Sequence, residues 1–249
     1  MDDELRWAPG ASSAFPPTRL SLLERVRDRA PDVRRQAFGD LVVAYWKPAY
    51  KYLRLRWRLL PEDAEDVTQG FFAVAFEKEY LAGFDPAKGR FRTFLRVCLD
   101  RFAHKAHKAR QAQKRGGGAR VLSLDFAGAE GELRALDPAD PKDLDHFFRQ
   151  EMVRELFARA LADVRDALDA EGKQVQFRVF ERYDLEPTDA LTYGDLATEF
   201  GIPVTQVTNY LAAVRRRFRE RALAHLRAAS GTDEEFHADA RELFGIDVA

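Results

Sequence analysis

Apolar residues recur every three or four positions along most of the chain, a spacing that predicts amphipathic helices. The longest such stripe follows Asp32, which we expect to be a helix N-cap, and continues past Pro48, which is expected to kink the helix. Its members are Phe38, Leu41, Val42, Tyr45, Ala49, Tyr52 and Leu53. Further helices are predicted for residues 21–29, 90–110, 144–169, 173–184, 192–200, 203–228 and 233–243, and for a segment that begins at Pro61.

Proline, glycine and acidic residues divide this helical pattern into segments. Residues 1–19 predict a flexible arm, and residues 20–115 predict a first helical domain. Residues 116–143 begin with three glycines and predict a linker, residues 144–229 a second helical domain, and residues 230–249 a tail helix. Strand alternation is not evident, so the expected fold class is all-α, with two helical domains joined by an acidic flexible linker.

Charge changes this picture because it is laid out in blocks. The 249 residues have a formal net charge of −1. Residues 88–120 nevertheless hold eleven Lys or Arg and one acid, whereas residues 125–145 hold seven acids and two bases. Blocks of opposite sign predict different partners for different segments.

The cysteine content and the N-terminus indicate a compartment. Cys98 is the single cysteine, so an intrachain disulfide is excluded. The N-terminal residues are acidic and lack the apolar core of a signal peptide, and no apolar run approaches the length of a membrane span. We therefore expect a cytoplasmic protein with no membrane partner.

Residues 191–219 predict a helix-turn-helix. Thr192 is expected to cap the first helix, and Gly201 supplies a turn in which a positive φ is easily adopted. The second helix is expected to bury Val204, Val207, Leu211, Val214 and Phe218. Its opposite face would carry small polar residues for the major groove and arginines for phosphates. These candidates for DNA contact are Thr205, Thr208, Asn209, Arg215 and Arg216. An ordinary amphipathic helix pair is the alternative.

A basic helix precedes the glycine triplet. Its apolar side comprises Phe91, Phe94, Leu95, Cys98 and Phe102. Basic residues flank that side and could bind phosphates in a salt-dependent way, or simply form a solvated helix face. They are Lys88, Arg90, Arg92, Arg96, Arg101, Lys105 and Lys108.

An acidic helix start, Asp63-Ala64-Glu65-Asp66, follows Pro61. Acids in a first turn complement the helix dipole and could also bind a basic partner. Neither these carboxylates nor the pair His104 and His107 has enough further ligands for a metal site. Catalytic triads and phosphate-binding loops are also missing from the sequence. We therefore expect a protein that is not an enzyme and needs neither a cofactor nor a metal.

Together these motifs resemble bacterial RNA polymerase sigma factors of the extracytoplasmic-function type, in the sigma-70 family. The acidic motif continues as VTQGFF to residue 72, and residues 89–95, GRFRTFL, resemble the promoter-melting helix. Residues 191–219 are similar to the reader of the −35 element. The phrases QKRGGG at 113–118 and LSLD at 122–125, with the acidic tail, narrow the resemblance to a subgroup common in bacteria rich in Ser/Thr kinases. It covers residues 20–245.

The resemblance implies a function and partners. Residues 20–115 would be sigma region 2 and residues 144–229 sigma region 4, which together recognise and melt promoter DNA. Docking on the β and β′ subunits of core RNA polymerase would use Asp63, Glu65, Asp66, Gln69 and Phe72. The basic residues from Lys88 to Lys108 would hold the −10 strand. An anti-sigma factor or a Ser/Thr kinase is a further partner that the resemblance suggests, with Thr68 as a candidate phosphorylation site.

The sequence departs from the family pattern at two places. Thr208-Asn209-Tyr210 replaces the usual Lys-Ser-Arg of the recognition helix, and Arg101 stands where an asparagine is typical of the melting helix. Promoter preference is therefore not carried over from the family.

The sequence leaves two other functions open. The alternatives are a stand-alone helix-turn-helix regulator, which would bind DNA as a dimer, and a metal-dependent nuclease built on the acidic cluster.

Overall fold

A computed structural model describes residues 25–112, 124–136, 143–186 and 191–245. Within these ranges the fold is all-helical and contains no strand, as the sequence predicts. The helices are α1 (Pro31–Arg56), α2 (Pro61–Glu77), α3 (Phe91–Ala112), α4 (Phe126–Leu136), α5 (Leu144–Ala170), α6 (Gln174–Phe180), α7 (Tyr193–Phe200), α8 (Val204–Ala229) and α9 (Asp233–Phe244). None of the helices in these ranges is long and apolar enough to cross a membrane.

Local sequence signals explain most helix starts. Pro61 occupies the first turn of α2, where a missing N–H costs nothing. The side chains of Asp143, Thr192 and Thr232 cap α5, α7 and α9 by accepting hydrogen bonds from first-turn amides. The prediction that Asp32 caps α1 is wrong, because the helix already begins at Pro31. Helix α1 continues through Pro48 to its end.

The main core forms around α1. The predicted stripe is confirmed, since every member except Phe38 is buried and Phe38 packs against the cluster from its edge. Helices α2 and α3 contribute Phe71, Phe72, Phe91 and Leu95 to the same cluster. This packing orients the acidic start of α2 and the basic side of α3 on one body.

The packing crosses the predicted domain boundary. Phe148 and Met152 of α5 and Ala229 of α8 belong to the same hydrophobic cluster as α1. The buried Tyr45 hydroxyl donates a hydrogen bond of 2.8 Å to the Ala229 carbonyl. Helices α5 and α8 thus bury apolar residues against α1 across the domain boundary predicted at residue 143.

The predicted linker contains α4. Phe126 packs edge-on against Trp46 and lies 5.2 Å from the Tyr50 ring. Glu130 accepts two hydrogen bonds from Arg54 and one from Tyr50. The expectation of a flexible linker is thus wrong for residues 126–136, because their acids are paired with bases of α1. Residues 116–123 and 137–142 lie outside the described part, as do the arm of residues 1–19 and residues 21–24 of the helix predicted at 21–29.

The docking of α4 predicts a pH-dependent loss of stability. Hydrogen bonds from Arg54 lower the pKa of Glu130 to about 2. We expect Glu130→Gln to reduce the free energy of unfolding by about 1–3 kcal/mol near neutral pH, the range for hydrogen bonds to charged groups. Because the folded-state pKa is depressed, this contribution is present above the unfolded pKa of about 4.3 and is lost as pH falls towards 2.

Urea unfolding of both proteins over this pH range tests the expectation. The difference in unfolding free energy should shrink as the pH falls. Glu77→Gln, at an exposed end of α2, is the matched control and should change stability by less than about 0.5 kcal/mol. An equal difference at all pH values would contradict the docking of α4 through Glu130.

Two further clusters complete the fold. One joins α5, α6, α7 and α8 through Leu168, Phe177, Leu196, Val207 and Leu211. The other joins α5, α8 and α9, and the predicted tail helix is thereby confirmed as α9, with buried Phe236 and Ala240. Helix α9 consequently lies over the body of the molecule rather than extending from it.

Candidate functional site

The helix-turn-helix has the geometry that its sequence predicts. Thr192 and Asp195 form a reciprocal capping box at the start of α7. Gly201 ends α7 with φ 63°, in the left-handed region that favours glycine. Ile202 packs against the cluster below, and Val207, Leu211 and Val214 of α8 are buried.

The N-terminal end of α8 presents small polar side chains to solvent. Thr205, Thr208 and Asn209 are exposed, and Arg216 is exposed two turns further along. Thr208 Oγ1 donates a hydrogen bond of 3.3 Å to the Val204 carbonyl. The prediction that Val204 is buried is wrong, since it is 49% exposed at the first position of the helix. This end of α8 has the shape and polarity of a surface that enters a major groove.

Arg215 does not belong to that surface. Its guanidinium donates hydrogen bonds of 3.0 and 2.7 Å to the two carboxylate oxygens of Asp184. It also lies over the Tyr183 ring at 5.7 Å. The prediction of Arg215 as a DNA contact is corrected, because its side chain joins α8 to the turn that follows α6.

The acidic start of α2 lies at the surface. Asp66 is exposed, whereas Asp63 and Glu65 are half-buried. Leu60, immediately before the helix, is 66% exposed. Trp57, Leu60, Asp63 and His107 line an open pocket of about 390 Å³ beside this helix start. The start of α2 thus combines surface carboxylates with an exposed leucine at the edge of an open pocket.

Two predicted docking residues and the predicted phosphorylation site face inward. Phe72 is fully buried and Gln69 is 5% exposed, so Phe72 is corrected from a docking residue to a core residue. Thr68 is also fully buried, and its hydroxyl donates a hydrogen bond of 2.6 Å to the Ala64 carbonyl. Phosphorylation of Thr68 is therefore incompatible with the folded chain. The spacing of Val67, Phe71 and Ala75 could have placed Thr68 and Phe72 beside the buried face.

The basic residues of α3 separate into an open group and a covered group. Arg101, Lys105 and Lys108 are exposed and lie at positions that share one helix face. Lys88 is exposed and lies 3.2 Å from the carboxylate of Asp85. Arg96 is largely covered: it contacts the carboxylates of Asp100 and Asp145 and lies over the Tyr52 ring. The open group forms a strip of positive charge along α3.

Helix α9 covers the start of α3, which the sequence did not predict. Arg90 and Arg92 each place a guanidinium nitrogen 2.6 Å from the carboxylate of Asp239. The Phe91 amide donates a hydrogen bond of 3.1 Å to Glu235. The Arg92 side chain is 9% exposed and that of Arg90 is 41% exposed. The prediction that Arg92 offers its charge to DNA is corrected for this conformation.

Comparisons with known proteins leave the family open. The chain matches no family model, no curated protein and no solved structure. Among the described residues, no three His, Cys, Asp or Glu side chains are grouped so that they could hold a metal ion. The function is therefore inferred from the surfaces described above.

Proposed function

We propose that this protein is a transcription factor that binds DNA through α7 and α8. More specifically, we propose an extracytoplasmic-function sigma factor, which binds core RNA polymerase and directs promoter recognition, melting and initiation. The proposal is supported by three surfaces that follow one another along the chain and belong to one packed molecule. These are the acidic start of α2, the basic strip of α3, and the exposed polar end of α8.

Each surface supports one part of the function. The exposed Asp66 and Leu60 favour contact with a basic and partly apolar surface of core polymerase. Arg101, Lys105 and Lys108 favour contact with the phosphates of a separated strand. Thr205, Thr208 and Asn209 can reach base edges, while Arg216 can hold a phosphate. Stronger binding to the open strand than to duplex would drive melting without ATP, because only differential affinity shifts an equilibrium.

Transcription with purified core RNA polymerase on a genomic promoter library tests the proposal. We expect discrete RNA 5′ ends that appear only when both the core enzyme and this chain are present. Core enzyme alone and the chain alone are the controls. The absence of any chain-dependent 5′ end would overturn the proposal.

A stand-alone helix-turn-helix regulator is the second candidate. It is favoured by the ion pairs that engage Arg92 and Arg96, since they leave the polar end of α8 as the more open DNA-binding surface. Such a regulator would bind duplex DNA as a dimer and without polymerase. Analytical ultracentrifugation with and without duplex DNA separates the two functions, because a sigma factor is expected to be monomeric and to bind duplex promoter DNA only with the core enzyme.

A further inference from the structure

The acidic face of α9 occupies the arginines at the start of α3. Asp239 is 3% exposed and lies between Arg90 and Arg92, with one carboxylate oxygen 2.6 Å from each guanidinium group. Glu235 accepts hydrogen bonds of 3.1 Å from the amides of Phe91 and Gly231. The Phe91 amide and the guanidinium groups of Arg90 and Arg92 thus donate to carboxylates of a helix almost 150 residues further along the chain.

The rim of this contact adds a third acidic residue. Glu242 pairs with Arg149 of α5 and lies 3.9 Å from Arg90. Residues 231–245 carry five acids and a single arginine. Guanidinium groups form charge-assisted hydrogen bonds with the oxygens of carboxylate and of phosphate alike. The acidic face of α9 therefore presents to α3 the groups that a nucleic-acid backbone would present.

The acids of this face are not all that holds α9 on the body. Phe236 and Ala240 are buried in the cluster with Leu156 and Leu223, which attaches α9 to α5 and α8. A buried ion pair is a weak source of stability, since desolvation offsets most of its Coulomb energy. The charges at 235 and 239 are therefore not the only attachment of α9 to the body.

A close backbone approach fixes the position of α9 over α3. A Cβ atom added at Gly231 would lie 2.6 Å from Cβ of Phe91 and 3.1 Å from the Phe84 ring, so the chain between α8 and α9 passes directly over the start of α3. Tyr45, which packs against Phe91, also bonds the carbonyl of Ala229 at the end of α8. The acids are thus held in register with Arg90 and Arg92.

We infer that α9 is an intramolecular competitor that excludes single-stranded DNA from Arg90 and Arg92 until it is displaced. The inference rests on the proposed function in taking a separated DNA strand as the competing ligand. A ligand that binds only the uncovered arginines has its apparent affinity reduced by the fraction of molecules in which they are uncovered. Removal of charge from α9 should therefore strengthen binding without any new contact to DNA.

Fluorescence anisotropy of the full-length chain with a fluorescein-labelled, single-stranded oligonucleotide of mixed sequence tests this inference at low ionic strength. We expect Asp239→Asn to bind the oligonucleotide about tenfold more tightly. This factor corresponds to a covered state that is about ten times more populated than the uncovered state. Glu234→Gln is the matched control: it removes one negative charge from an exposed position of the same helix and should leave the affinity unchanged. Equal affinities of Asp239→Asn and Glu234→Gln would overturn the inference.

Two further variants make the result decisive. Arg90→Gln combined with Asp239→Asn should lose most of the gain, because the gain is expected to act through Arg90. Glu242→Gln, whose side chain is 45% exposed, tests the same contact at a position that tolerates change. Glu242→Gln should tighten oligonucleotide binding by a smaller factor than Asp239→Asn. If circular dichroism shows that Asp239→Asn is unfolded, the affinity of Glu242→Gln becomes the test of the inference. No gain in any folded variant overturns the inference.

The oligonucleotide assay contains no polymerase, so its result is independent of the test of the proposed function. If transcription depends on the chain but Asp239→Asn and Glu234→Gln bind the oligonucleotide equally, competition by α9 is contradicted and the sigma function is retained. If Asp239→Asn binds the oligonucleotide more tightly but no transcription depends on the chain, the sigma function is contradicted and competition between α9 and nucleic acid is retained.

Discussion

Asp66→Arg is expected to weaken binding of this chain to core RNA polymerase by about 10- to 100-fold, the effect of reversing a charge at a complementary interface. Asp66 is exposed in the first turns of α2 and does not contribute to the hydrophobic core. The substitution should therefore leave the fold intact. Surface plasmon resonance with immobilised core enzyme measures the affinity, and circular dichroism checks the helical content.

Glu77→Arg is the matched control for this experiment. It makes the same charge change on the same helix, eleven residues further on and about 16 Å away at 1.5 Å per residue. Its side chain is exposed, and a base at a helix C-terminus is compatible with the dipole. We expect the control to bind as the unaltered chain does. Equal affinity of both variants would count against docking through the start of α2.

Lys51→Met is expected to reduce the free energy of unfolding by about 3 kcal/mol, the lower end of the range for breaking a buried ion pair. The Lys51 side chain is 1% exposed, and its ammonium group lies 2.6 Å from Glu151 and 2.8 Å from Glu132. Burial lowers the pKa of this ammonium group despite the carboxylates. Methionine would fill the space of the lysine stem but would leave the carboxylate of Glu151, 2% exposed, without this partner.

The ammonium group of Lys51 connects three helices. Lys51 lies on α1, Glu132 on α4 and Glu151 on α5, so a single ammonium group joins both sides of the predicted domain boundary. Chemical denaturation by urea, followed by circular dichroism, provides the measurement. Two independent domains would unfold in separate transitions, whereas one packed body is expected to lose stability as a whole.

Two comparisons control the Lys51 experiment. Arg35→Met breaks an exposed pair with Asp32 on the same helix and should change stability by less than about 1 kcal/mol. Lys51→Met combined with Glu151→Met removes both charges and should recover part of the loss, because the buried carboxylate that Lys51→Met leaves with Arg154 alone is also removed. A loss in Lys51→Met no larger than that in Arg35→Met would show that the ion pair is unimportant for stability.

Local signals were sufficient for most helices. Apolar spacing and caps placed α3, α5, α7, α8 and α9 within a few residues of their observed bounds, because these signals act over one or two helical turns. Helix α4 was missed although Phe126, Ala129 and Leu133 have helical spacing, since the surrounding acids and glycines favoured a linker. Its acids are paired with Arg54 and Lys51, which are far away in the chain.

The sequence by itself determined the helical class, the cap and glycine turn of the helix-turn-helix, and the order of acidic, basic and polar segments. It did so because periodicity and backbone preference are local properties. Only the tertiary structure decided which charges remain open to a partner. Arg92 and Arg215 have the same chemistry as Arg101 and Arg216, but carboxylates from distant helices cover the first two. Whether a charge is exposed or paired depends on long-range packing, which helical periodicity does not encode.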